Sequence, residues 1–111
     1  MLHVQIDETY AAILEPLQES VEEAVHYYAL EKVKRRLLEL EQKVQRWEDK
    51  YQCGYDLFAY RTATDESYVT ELDAHTETQQ WEGDLISWEF DHEELQAWRR
   101  HLKNLLNMSS Q

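Results

Sequence analysis

The residues best suited to chemistry are two Glu-x-x-His pairs, Glu23–His26 and Glu89–His92. In helical bundles that hold two metal ions, such pairs point inward from two helices while two further helices each add a lone Glu. Both histidines fall near apolar seams, but the lone seam glutamates are missing; the seams otherwise hold Leu, Val, Trp, Tyr and one Arg. With 16 glutamates in 111 residues, five histidines produce about 0.7 such pairs by chance. Two pairs are therefore unremarkable, and neither metal nor cofactor is expected. A di-metal helical bundle ranks as a distant third reading.

Cys53 is the other reactive candidate. It stands beside Gly54 with Lys50 near, but a thiol nucleophile needs a base within reach and no histidine is local. Being single, it forms no internal disulfide, which suits a reducing cytoplasm. No phosphate loop, His-Glu-x-x-His or cysteine pair occurs, and the many carboxylates define no cleft. No catalytic residue is assigned, and the chain is not expected to be an enzyme.

The elements that carry these residues are helical by composition. Two glycines and one proline are too few for the turns of a β protein, while Glu, Leu, Ala, Lys, Arg and Gln favour long helices. Residues 2–6 ("LHVQI") alternate like a short strand. Asp7 then resembles the N-cap of a helix over 8–18, which Pro16 kinks or restarts. "SVEE" at 20–23 reads as a capping box that opens the next helix, and nothing interrupts that helix before Gly54, its natural left-handed terminator. Leu30, Val33, Leu37, Leu40, Val44, Trp47 and Tyr51 recur at alternating spacings of 3 and 4, a coiled-coil-like seam. Glu31 with Arg35 and Glu39 with Lys43 stand in favourable i,i+4 order outside it. Upstream, Val21, Ala24, Val25 and Tyr28 lie on a rotated stripe, which predicts a stutter near residue 28.

After "QCGYD" (52–56), a short helix or turn is expected at 55–60 and a short helix around 68–72, joined by a loop, "TATDES" (62–67), with acidic N-cap options. "DAHTETQQ" (73–80) reads as a polar connection or a helix start. The last helix begins near Thr78 or Asp84, depending on whether Gly83 is interior, and runs to Asn107. Leu85, Trp88, His92, Leu95, Arg99, Leu102 and Leu106 form its seam. Trp81 shares that face if the helix starts early, whereas Trp98 lies about 80° away and flanks the stripe with Leu105. The stretch 81–98 packs three tryptophans among six acids; the expectation is an apolar seam with a charged back.

Charge is unevenly spread across the net −12. Residues 1–31 carry seven acids and no Lys or Arg, while 32–51 carry seven cations against four acids. Residues 52–80 hold one cation against six acids, and 81–111 hold three against six. Such a surface repels phosphate backbones and anionic lipid and favours basic protein partners. A ribbon–helix–helix reading of the N-terminus would send His3 and Gln5 to DNA with no cation before Lys32, so nucleic acid is disfavoured. The basic island "KVKRRLLELEQK" (32–43) is interleaved with Glu39 and Glu41, as on the charged back of a coiled coil. No apolar run reaches the roughly 20 residues of a membrane span, and residues 1–20 lack the basic start of a signal peptide.

Several pieces taken in order resemble a group of small bacterial proteins proposed as antitoxins of toxin–antitoxin modules. These are "SVEEAV", "RRLLELEQKVQRWEDKYQCGYDLF", "TDESYVTEL" and "WEGDLISWEF", spanning about residues 20–98. The resemblance includes a corner formed by Trp47, Glu48, Lys50, Tyr51 and Tyr55, followed by a tryptophan-rich acidic helix. It implies a dimerising region and an acidic segment that covers a basic nuclease toxin.

The expected protein is a single all-α domain, 1–111. It has an N-terminal segment 1–19, a long helix 20–51, connecting short helices 52–79 and a C-terminal helix 80–107. The two long helices pack antiparallel in coiled-coil fashion. The expected function is cytoplasmic, non-enzymatic binding of a basic partner, with Trp81, Trp88, Trp98, Tyr27 and Tyr28 as partner-binding candidates. A structural coiled-coil dimer with no toxin partner is the alternative. Tyr27, Tyr28, Leu38, Trp98 and Leu105 lie off the stripes, and a second copy covering them would make a homodimer.

Overall fold

A computed structural model describes residues 9–10 and 17–109, and among them every regular element is an α-helix. The strand-like start at 2–6 and the Asp7 cap lie outside the described residues. Helix α1 spans Leu17–Tyr51, α2 Tyr55–Thr64, α3 Glu66–Ala74 and α4 Trp81–Ser109. The molecule is a rod, 69 × 27 × 21 Å, because α1 and α4 are about 52 and 43 Å long at 1.5 Å per residue.

The seams bring these two helices together antiparallel. Tyr51 meets Asp84, Trp47 meets Trp88, Leu40 clusters with Leu95, and Glu41 approaches Arg99, so one number rises as the other falls. Two apolar clusters result. At the closed end, Tyr51, Phe58, Leu72, Trp81 and Trp88 are buried, where α2 and α3 cap the hairpin. Toward the open end, only the two long helices contribute: Val33, Leu37, Leu40 and Leu95 are buried, with Trp98, Leu102 and Leu105 half-buried against them.

Local chemistry explains most boundaries and corrects several expectations. The chain is already helical at Leu17, so "SVEE" lies within α1 and does not open it. Helix α1 runs unbroken past residue 28. The rotated Val21–Tyr28 stripe is tolerated because α4 ends opposite roughly residues 26–30 of α1, if the pairing continues at 1.5 Å per residue.

The left-handed residue that ends α1 is Gln52 (φ 58°), not Gly54, which is extended (φ −79°, ψ 167°) and stands as the N-cap of α2. Gln52 holds that conformation with its N–H on the Glu48 carbonyl, 2.7 Å, and its side-chain amide on the Asp49 carbonyl, 2.6 Å. Asp65 is an N-cap as its type suggests, its carboxylate accepting from the Tyr68 N–H at 3.1 Å. Gly83 is interior to α4, in its first turn.

The outer ion pairs also differ from expectation. Glu31 pairs with Lys34 at 3.9 Å and Glu39 with Arg36 at 3.2 Å, each choosing the cation three residues away over the one four away. Arg35 and Lys43 are left without those glutamates.

Candidate protein-binding surfaces

Neither of the chemical candidates assembles into a centre. Among the described residues no group of three or more His, Cys, Asp and Glu is placed to hold a metal. The pairing register puts His92 opposite about residue 43, so His26 lies roughly 25 Å away along α1. His92 instead stacks on Tyr55, with ring centroids 4.7 Å apart. Cys53 is half-buried, and burial pushes its thiol pKa up, more than Arg61 lowers it. That disfavours the thiolate a nucleophile requires.

The closed end is an aromatic core. Trp88 is fully buried, packed by Trp47 (6.3 Å between centroids), Tyr51 (6.0 Å), Phe58 (5.2 Å) and Tyr55 edge-on (5.8 Å). Trp81 is 9% exposed and donates its indole N–H to Asp73 at 2.9 Å. These two tryptophans are therefore structural in this chain and offer a partner almost no area, a correction to their expected binding role. The physical reason is the cap: α2 inserts Phe58 and α3 inserts Leu72 over the seam. The phenol of Tyr51 donates to Asp84, which also takes Lys50 Nζ at 2.6 Å. Burial first, then that hydrogen bond, raise the Tyr51 pKa well above its usual value.

The other three candidates do reach the surface. Tyr27 and Tyr28 are 66% and 64% exposed. Trp98 is half-buried, donating its N–H to Glu94 at 3.2 Å and meeting His101 edge-on at 5.1 Å. At 100° per residue Tyr28 and Val25 fall on the flank of α1 that carries Lys50. Trp98 and Leu105 fall on the flank of α4 that carries Asp91. The Lys50–Asp84 and Trp47–Asp91 contacts join these flanks, so all four apolar residues lie on one face of the open end. Tyr27 points about 100° away from Tyr28, on the same outer line as the exposed Leu38.

The acidic back of α4 holds what the sequence reading missed. Ile86 and Phe90 are 69% and 58% exposed. Each lies about 160° from the buried Trp88, on opposite sides of the outermost line of the helix. One turn apart, they form an apolar ridge with Glu82, Glu89 and Glu93, all exposed, along one side of it. The signal was present in their i,i+4 spacing and in their phase against Trp88. It was missed because the back of the helix was read as charged only, with Ile86 and Phe90 assigned to neither face. The back of α4 is thus both charged and apolar.

Among the described residues no helix is long and apolar enough to cross a membrane. Comparison with family models, with curated proteins and with solved structures gives no match to this chain.

Proposed function

We propose that this chain is a non-enzymatic protein-binding module of the antitoxin kind, which neutralises a basic partner, a nuclease toxin by the family resemblance. The observation that carries this reading is the Ile86–Phe90 ridge beside Glu82, Glu89 and Glu93. An apolar pair held open to water gains most when a partner covers it. Carboxylates beside it select a basic partner and speed its approach. The resemblance supplies the partner class, and the net charge of −12 agrees with it. The test is co-purification with the product of the neighbouring gene. A basic nuclease-like protein should be retained by the native chain and lost from an Ile86→Ser/Phe90→Ser variant. Failure of the native chain to retain it, or undiminished retention by the variant, would sink the proposal.

A second reading, a structural homodimer, is favoured by the open-end face of Val25, Tyr28, Trp98 and Leu105. There only two helices enclose the core, and a second copy would complete a four-helix layer through a twofold contact. Repulsion between two chains of −12 opposes it, so association should strengthen as salt screens that charge. Light scattering should give twice 13.4 kDa at physiological salt. A strict monomer at both low and physiological salt would end this reading.

A further inference from the structure

We propose that one flank of α1 is a docking site for an acidic amphipathic helix of another protein, centred on a groove between α1 and α4. The groove is about 430 Å³ and is lined by Lys43, Arg46, Trp47, Lys50 and Asp91. With 23 acids to 11 cations in the chain, cations should be the scarce charge, each readily met by a carboxylate. Instead, among the described residues no carboxylate forms an ion pair with Lys32, Arg35, Lys43 or Arg46. Together with Lys50 these four occupy an arc of about 80° on α1.

Glu39 shares that arc but pairs with Arg36, and the acids that α4 brings to this flank are also engaged. Asp91 accepts the Trp47 indole N–H at 2.9 Å, and Asp84 accepts from Lys50 and Tyr51. Both carboxylates sit at the floor, while Lys43 and Arg46 form no ion pair among the described residues. Lys43, Arg46 and Lys50 are spaced 3 and 4, the spacing at which one face of a neighbouring helix presents its own side chains. Between them the half-buried Trp47 ring gives an apolar side chain a place to rest. A ligand helix with acids spaced 3 and 4 and an apolar residue between them complements both features. The surrounding charge of −12 opposes any anionic ligand, so the fit is to a short helix that confines its acids to the face toward Lys43 and Arg46, whereas a phosphodiester backbone is charged at every residue and is repelled over its whole length.

The probe is a fluorescein-labelled helical peptide of about 16 residues, long enough for four turns, with Glu at such spacing and Leu facing Trp47. It is titrated against the full chain by anisotropy at low and at physiological salt. Binding should weaken at the higher salt as the cations are screened. A Lys43→Glu/Arg46→Glu variant, its helicity checked by circular dichroism, should lose at least about tenfold in affinity, as expected for two reversed charges. A scrambled peptide of equal charge, with its acids spread around the helix, should bind several-fold more weakly. Equal affinity for the scrambled peptide overturns the proposal, as does tighter binding of a single-stranded oligonucleotide of equal charge. Absence of binding at low salt overturns it too. A native dimer that the double variant converts to monomer would reassign the groove to a second copy and overturn it likewise.

Discussion

Trp47 on α1 donates its indole N–H to Asp91 on α4 at 2.9 Å while its ring lies 6.3 Å from that of Trp88. One side chain thereby ties the polar flank of the helix pair to its aromatic core. The bond spans two elements and is partly shielded from water, so its charged acceptor gives it more weight than a surface pair. Asp91→Ala should cost about 1–2 kcal/mol, and Trp47→Phe somewhat more through lost area. In urea unfolding, the double variant should cost less than the sum of the two singles by about 1 kcal/mol. Simple additivity would show that the contact is energetically idle.

Trp88 and Trp81 should respond differently to the same change. Trp88 has no hydrogen-bond partner for its buried N–H among the described residues, whereas Trp81 donates to Asp73. Trp88→Phe therefore loses volume but no bond and removes an unsatisfied donor, at a cost of about 1–2 kcal/mol; Trp88→Ala should cost about 3–5 kcal/mol. Trp81→Phe gives up a bond to a carboxylate and leaves Asp73 more solvated. Thermal melts that rank Trp88→Phe as severely as Trp88→Ala would contradict this packing.

Two backbone positions are suboptimal and should yield stabilised variants. Gln52 sits at φ 58°, where a side chain is strained, and Gln52→Gly should gain about 0.5–1 kcal/mol less whatever its amide bond to Asp49 contributes. Gly83 lies inside α4, and an added Cβ would meet nothing within 4 Å. Gly83→Ala should gain about 0.5–1 kcal/mol from helix propensity. Denaturant midpoints check both, and a lower midpoint for Gly83→Ala would mean that the first turn of α4 is not as placed.

Alkaline pH should unfold the closed end first. Burial is the leading cause of raised pKa values at Tyr51, Tyr55, Tyr68 and Cys53. A raised folded pKa means that the folded chain holds its proton after the unfolded chain has released it. Stability is then fully present below the unfolded values, 9.0 for the thiol and 10.0 for the phenols, and falls as pH rises beyond them. Tyr51→Phe should be less stable than the native chain at neutral pH, because its bond to Asp84 is gone, yet lose less between about pH 9 and 11. Parallel pH–stability curves for the two proteins would refute the assignment.

Spacing alone determined that this chain builds two long helices with facing seams. Leu37, Leu40, Trp88 and Leu95 are buried where their alternating 3 and 4 intervals place them. The same arithmetic placed Trp98 on the flank of its stripe, and residue type offered the acids of "TATDES" as caps, of which Asp65 is the one used. These features were legible because helix periodicity and capping are local properties, expressed within a few residues. What lay beyond local range was decided by the packed structure. Trp81 and Trp88 became core only because α2 and α3 fold over them, bringing Phe58 and Leu72 from elsewhere in the chain. Gln52 took the left-handed position in place of Gly54 because α1 continues to Tyr51 and must turn at once to deliver Phe58 to Trp88. Ile86 and Phe90 became a surface because α1, α2 and α3 all pack toward the Trp81–Trp88 face of α4 and leave its back open. A helix can bury only the face its neighbours reach, and the number of neighbours is a property of the tertiary structure.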